Sequence, residues 1–273
     1  MKRSRLRAGL TYVVLTIATV VWGFPMVWIA ISSFKPSADL TARGFSLSFV
    51  PTIEHYRFIF ERQPFLYYVR NSVVVTGIST LIAVVIGSLA AYSISRFKTG
   101  GDGLSFWVLS TRMAPPAVLI IPYFLIFQAL GMFNTWWALV VTALMLNLSY
   151  IVWMLRDFFD EVPREIDDAA RVDGASQLQT MFLVVFPLAR PGIVATTILA
   201  ATFTWNEFLF SVVLTLNQAS KTLPGAANDF VTGYEVNWGA LFASGVMIVI
   251  PIVIFTFIVQ KHIVRGLTLG AVH

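Results

Sequence analysis

The sequence contains no cysteine, and only three of its 273 residues are histidine. The first absence excludes disulfides, Cys-ligated zinc and thiol catalysis. His55, His262 and His273 share no metal-ligand spacing with one another or with carboxylates. Charge is scarce as well: 12% of residues are Asp, Glu, Lys or Arg, against about 25% in soluble domains. No HExxH, no GxSxG and no GxxxxGK[ST] stretch occurs, so the zinc-peptidase, nucleophile-elbow and phosphate-loop chemistries have no residues to work with. The chain carries no catalytic constellation, and the expectation is a non-enzyme. Pro/Ser/Gly-rich linkers, low-complexity tracts and internal repeats are also missing, so residues 1–273 read as one domain.

What is present is apolar. Hydrophobic residues make up 57% of the chain, and the mean hydropathy is +0.77. Those values define an all-α integral membrane protein in which each crossing needs about 20 apolar residues. Six stretches qualify: 10–32, 72–94, 104–129, 136–155, 193–216 and 240–259. Lys2, Arg3, Arg5 and Arg7 precede the first, which is too long for a signal peptide and reads as an uncleaved anchor. With the N-terminus inside, the inner side also collects Arg96, Lys98, Arg156, Arg164, Arg171, Arg190, Lys261 and Arg265. Arginine and lysine in short inner loops set orientation, so the chain reads as N-in and C-in. They also account for the net charge of +5 without nucleic acid.

Two long outer segments are rich in aromatics. Residues 35–71 hold Tyr56, Phe58, Phe60, Tyr67 and Tyr68, and residues 217–239 hold Tyr234 and Trp238. They suit interfacial belts and short surface helices, and equally a landing surface for an extracytoplasmic partner. In the second span Ser79, Ala83, Gly87 and Ala91 recur every fourth residue, a small-residue stripe that admits a close helix neighbour. Glu207 is an acid inside a span, where a charge costs at least about 2.5 kcal/mol unless it faces a bundle interior or a wet cavity. Glu207, Asn206 and Asn147 therefore fit either a structural anchor or the lining of a pathway. Arg112 lies near a span end and can snorkel. Pro25, Pro115, Pro116, Pro122 and Pro251 interrupt spans, which is tolerated where neighbours re-satisfy the backbone.

The most charged stretch lies between the fourth and fifth spans, in the loop 156–192. Pro163 suits the first turn of a helix, and Ile166, Ala169, Ala170 and Val172 give that helix a mildly apolar face. Asp173-Gly174 signals a turn, with Gly174 free to take positive φ. Ser176 and Gln179 form a capping box for a second helix, on which Leu178, Met181, Phe182 and Val185 make an amphipathic stripe. Pro187 and Pro191 close the unit. A helical hairpin on the membrane surface is a docking shape.

At Asp168-Ala169-Ala170 and Gly174, followed by Val184, Phe186 and Pro187, the chain resembles the membrane subunits of bacterial ATP-binding-cassette importers. Their motif runs Glu-Ala-Ala, three residues, Gly, nine residues, Ile, any residue, Leu-Pro. Here Asp replaces Glu, Val replaces Ile and Phe replaces Leu. Trp205-Asn206-Glu207-Phe208 and the ending Val264 to Val272 narrow the resemblance to the maltose-transporter-type sugar permeases. The resemblance covers essentially the whole chain. It implies a type I importer fold in the bacterial inner membrane, a second permease subunit, two separate ATPase subunits that bind ATP and magnesium, and an extracytoplasmic solute-binding protein. It assigns Asp168, Ala169, Ala170, Asp173, Gly174 and Pro187 to ATPase coupling, with Asp168 pairing a cation on the ATPase. The tail residues Thr268, Leu269, Gly270, Ala271 and Val272 would insert between the ATPases. No cofactor is expected in this chain.

Two alternatives remain at this level. A permease for a non-sugar solute would keep the hairpin. An ion-coupled secondary transporter would show paired halves and intramembrane ion-site acids, and neither is evident in the sequence.

Overall fold

The computed structural model describes residues 2–41 and 48–269, with side chains described for 9–41, 48–101, 103–108, 110–257. Its elements are α1 (Lys2–Ser32), α2 (Ser37–Thr41), α3 (Glu54–Arg62), α4 (Phe65–Phe97), α5 (Gly101–Ser110), α6 (Ile120–Ala129), α7 (Trp136–Asp160), α8 (Arg164–Val172), α9 (Gln177–Gln179), α10 (Phe186–Trp205), α11 (Leu209–Leu214), α12 (Leu223–Ala227) and α13 (Trp238–Leu269). Five described helices are long and apolar enough to cross a bilayer, and the bent pair Gly103–Met113 and Pro116–Ala129 passes the same test when taken together.

The expected spans are found with shifted limits. The second and fourth are longer than their apolar cores, since α4 begins seven residues earlier, at Phe65, and both α4 and α7 continue into polar final turns. The third is not one helix: it turns by 86° between its halves. Ala114 there is extended and precedes Pro115-Pro116, as the clash of a proline ring with the preceding residue requires. Pro25 and Pro251, by contrast, lie inside unbroken helices. The fifth span runs Gln177–Trp205, starting earlier than its hydropathy suggests, and breaks at residues 206–208 before α11.

The chain divides into two compact units, Met1–Pro64 with Ala227–Val249, and Phe65–Ala226 with Ile250–His273. In the first, α3 is anchored by His55, which is buried and hydrogen-bonds through Nε2 to the Lys35 carbonyl at 2.7 Å. Any side chain at Gly239 would strike the His55 ring. Tyr56 bonds Ser33 at 2.8 Å and packs on Phe34, so this aromatic holds the outer segment together. The apolar residues of α1, Trp22 and Val20 among them, are exposed, as a lipid-facing or subunit-facing helix requires.

The second unit is organised by α4 lying on α7, with α10 against both. Ser79, Ala83 and Ala91 are buried, and a Cβ at Gly87 would come within 2.5 Å of Ile151 Cγ2. The small-residue stripe thus brings the two backbones together. Gly192 plays the same part for α10 against the ring of Phe158. Tyr92, Ile151, Leu155, Phe159, Met181, Val185 and Ala189 fill the core at the end of the unit that carries the hairpin. At the other end, Asn71 donates to the carbonyls of Gln218 and Lys221. There too Asn134 Oδ1 accepts from the amides of Leu216 and Asn217.

Candidate functional site

The charged stretch folds as a hairpin. Pro163 precedes α8, Asp173 ends it, and Gly174 takes φ +88°, the left-handed conformation that a side chain resists. Ser176 then caps the second helix. Its Oγ accepts the Gln179 amide at 3.3 Å, and Gln179 Oε1 accepts the Ser176 amide at 2.8 Å, a reciprocal capping box.

From there the chain does not stop at Pro187 or Pro191. Residues Thr180–Val185 form a π-helical stretch that leads directly into α10. A π turn bonds i to i+5, so it accommodates the missing amide of Pro187 at the start of α10. Pro191 then sits inside the helix. The hairpin's second arm and the fifth span are therefore one continuous rod. Buried positions Met181, Val185, Ala189, Gly192, Thr196 and Ala200 run down it in a single stripe. The span's packing sets that phase, so the apolar stripe expected from the sequence is divided. Met181 and Val185 point in, while Leu178 and Phe182 remain exposed, as does Leu183.

The first arm is divided too. Asp167 and Ala170 are buried, whereas Ala169 is exposed and Val172 is 87% exposed. The expected apolar face is thus replaced by a mixed one. The inward side is carried by Ile166, Asp167 and Ala170, and an outward side by Asp168, Ala169 and Val172. Asp168 is 73% exposed and stands 3.7 Å from Arg171. Asp173 and Gly174 are exposed at the turn. Of the small residues named by the motif, Ala169 is free to meet a partner, and Ala170 seats α8 on its own bundle.

That seating rests on an ion pair the sequence does not reveal. Arg96, at the end of α4, places Nε 2.7 Å from Asp167 Oδ2, with both side chains 4% exposed. Its Nη2 donates to the Val162 carbonyl at 3.0 Å, and the Tyr92 hydroxyl reaches Asp167 Oδ1 at 3.5 Å. Arg164 donates to the Ser95 carbonyl at 2.8 Å, and Ser95 Oγ to Asp160 Oδ1 at 2.5 Å. The root of the hairpin is clamped to α4 by the Arg96–Asp167 ion pair and by charge-assisted bonds from Arg96 and Arg164 to backbone carbonyls, the stronger kind of hydrogen bond. Two adjacent aspartates were the available signal, but nothing local says which of them turns inward.

The membrane-embedded polar residues gather elsewhere. Asn147 is buried and donates to Thr204 Oγ1 at 2.8 Å, tying α7 to α10. Glu207, in the break after α10, accepts the Phe210 amide at 2.7 Å. Both line a cavity of about 910 Å³. Asn206 bonds the Thr202 carbonyl at 2.8 Å and does not line it. Arg112 does, donating to the Leu146 carbonyl at 2.7 Å with its guanidinium over Tyr150 and Phe203. Of the tail residues, the backbone of Thr268 and Leu269 continues α13. Gly270, Ala271 and Val272 lie outside the described residues.

A multi-pass helical membrane protein with a clamped hairpin on its inner face is the shape of a transporter's membrane component. Residues 83–269 match the family model described as "binding-protein-dependent transport system inner membrane component", and the chain belongs to that family. It is a multi-pass inner-membrane permease of an ABC transport system. The chain is 36% identical over 260 residues to the trehalose transport system permease protein SugB of Mycobacterium tuberculosis, covering 93% of this chain and 94% of that one. It is 32% identical over 277 residues to the trehalose/maltose transport system permease protein MalG of Thermococcus litoralis, covering 99% of each. Among solved structures, a chain of a bacterial ABC transporter that imports the acidic polysaccharide alginate superposes with a TM-score of 0.78 over 96% of this chain and 98% of that one, at 22% identity. A chain of the MetNI methionine ABC transporter gives 0.63 over 74% and 95%, at 18% identity. These likenesses place the fold among type I importer permeases.

Proposed function

We propose that this chain forms one membrane half of an ATP-driven importer for a sugar or sugar-like solute, a polyol or glycoside included. A separate ATPase subunit grips its hairpin. ATP and magnesium bind on the ATPase pair, a second permease completes the pathway, and a binding protein delivers the solute from outside. The sugar class is supported by the relatives, whose names include trehalose, maltose, diacetylchitobiose and sulfoquinovosyl glycerol permeases.

The observation that carries the coupling role is the hairpin's two-sidedness. Its inner side is locked to α4 by buried charge, and its outer side exposes Ala169, Val172, Leu178, Phe182 and Leu183 together with Asp168. Such an apolar, small-residue surface at the hairpin is unsatisfied in the single chain, and a cleft on a second protein would cover it. Asp168 can then pair with a cation there. Because the second arm is one rod with the fifth span, movement of the gripped hairpin displaces that span. ATP chemistry in another chain acts on this one only through a contact that differs between two states. The C-terminal tail, 268–272, is a second point of contact with the ATPases.

Purification through a tag on this chain from the membranes of its native cell tests the reading. An ATPase and a second permease should co-purify, and the reconstituted complex should take up a labelled sugar or polyol only with ATP. Isolation of this chain alone, with ion-driven uptake, would overturn it.

A further inference from the structure

The third span breaks at Ala114-Pro115 and the fifth at residues 206–208, and both breaks open onto the same cavity, lined by Ala114, Pro116 and Glu207 among others. Irregular backbone at membrane depth is tolerated only where it is buried in protein or borders a wet cavity. Two such breaks facing one space mark that space as built rather than left over. Its volume of about 910 Å³ falls in the range of about 300–1,000 Å³ usual for small-molecule sites.

Resting on the importer reading above, we infer that this cavity is a solute-contacting subsite of this chain, shaped for a polyhydroxylated ring. Three polar groups converge on it with bonding capacity left over. Arg112 uses Nη1 on the Leu146 carbonyl, and no described carboxylate lies within salt-bridge distance of it, so the rest of its planar fork is available. Glu207 accepts from the Phe210 amide at Oε1 and from the Leu209 amide, and a carboxylate, with about four acceptor sites, keeps lone pairs for a further donor. Asn147 uses Nδ2 on Thr204, which leaves Oδ1. Trp107 and Tyr123 supply aromatic faces to the same space.

A sugar answers all of these at once. Its hydroxyls donate to Glu207 and Asn147, its oxygens accept from Arg112, and its C–H faces stack on the rings. A small inorganic ion would leave the aromatic walls bare, and a purely apolar solute would leave the remaining donors of the guanidinium and the remaining acceptor sites of the carboxylate unmatched, which is costly at membrane depth. Arg112 is held rigidly against the Tyr150 and Phe203 rings, so it fixes the orientation of what it binds.

The test uses the assembled complex with its binding protein in proteoliposomes. Arg112→Gln and Trp107→Ala should each lower sugar uptake per ATP hydrolysed by about tenfold, the scale of one lost hydrogen bond or stacking contact. The loaded binding protein should still stimulate ATP hydrolysis. Trp107→Phe should restore most of the uptake. Because the chain has no cysteine, Met145→Cys on the cavity wall gives a single thiol. In the complex arrested with a non-hydrolysable ATP analogue, the transported sugar should slow its modification by a methanethiosulfonate reagent. Normal uptake in both Arg112→Gln and Trp107→Ala, with no protection of the thiol, would overturn the subsite and leave the importer reading standing. Failure of the unaltered complex to import any sugar or polyol would overturn both.

Discussion

The buried pair Arg96–Asp167 allows the sharpest prediction. Both side chains are 4% exposed, the atoms stand 2.7 Å apart, and Arg96 also bonds the Val162 carbonyl. Asp167→Asn removes one charge and leaves the guanidinium buried without its counter-ion, a change that costs about 3–5 kcal/mol. The packing of Ile166 and Ala170, the Arg164 bond to Ser95 and the Arg96 bond to Val162 then remain to hold α8 in place. At about 1.4 kcal/mol per tenfold, the equilibrium for lifting the hairpin root off α4 shifts by a hundredfold to a few thousandfold. Hydrogen–deuterium exchange on the detergent-solubilised complex reads this directly. Amides of residues 164–172 should exchange faster by that factor, while those in the α4–α7 contact stay protected. In proteoliposomes, ATP hydrolysis should continue while solute uptake falls. Arg96→Met with Asp167→Leu should recover part of the protection, since removing both charges together costs far less than stranding one. Unchanged exchange at 164–172 in Asp167→Asn, with full uptake, would refute the idea that this pair joins the hairpin to the second span.

Further predictions concern turn, cap and core. Gly174→Val should insert normally yet lose uptake, because φ +88° penalises a branched side chain although no described atom lies within 4 Å. Gly174→Asn, at home in that conformation, should transport, and uptake by the valine variant equal to wild type would count against the turn's role. Asp168→Glu should retain uptake, since the exposed acid keeps its charge, and complete loss would mean that the shorter side chain is required. Ser176→Ala should cost about 1 kcal/mol, seen as faster amide exchange at 176–180 with no effect on the rest of the fifth span. Gly87→Leu should lower the melting temperature in detergent, because the added side chain meets Ile151. Overpacking of this kind costs about 1–3 kcal/mol.

Local signals in the chain were enough for much of this structure. Apolar run length located the five long apolar helices and the bent pair because a bilayer imposes a minimum length on any helix. Gly174 and the Ser176–Gln179 box were legible because turn and cap chemistry is decided within four residues. The every-fourth-residue small stripe likewise announced a close helix contact at Gly87. The reading of the hairpin faces could not go so far. Helical period alone grouped Leu178, Met181, Phe182 and Val185 on one face, whereas the π-helical stretch and the in-phase packing of the fifth span turned Met181 and Val185 inward and left Leu178 and Phe182 outside.

Which aspartate of the Asp167-Asp168 pair is buried depended on a guanidinium at the far end of another helix. A buried charge is stable only where a distant part of the chain brings its counter-charge, so no local window contains that information. The same holds for the cavity. Pro115-Pro116 and Glu207 were visible as irregularities in two separate spans, and only their packing around α7 made the two breaks face one space. Sequence by itself determined that this is a multi-pass helical membrane protein with a polar helical hairpin between two of its apolar helices, because length, charge and capping are properties of short segments. Tertiary structure alone decided which residues of the hairpin seat it on its own bundle and which face outward, because burial and ion pairing join segments that the chain keeps far apart.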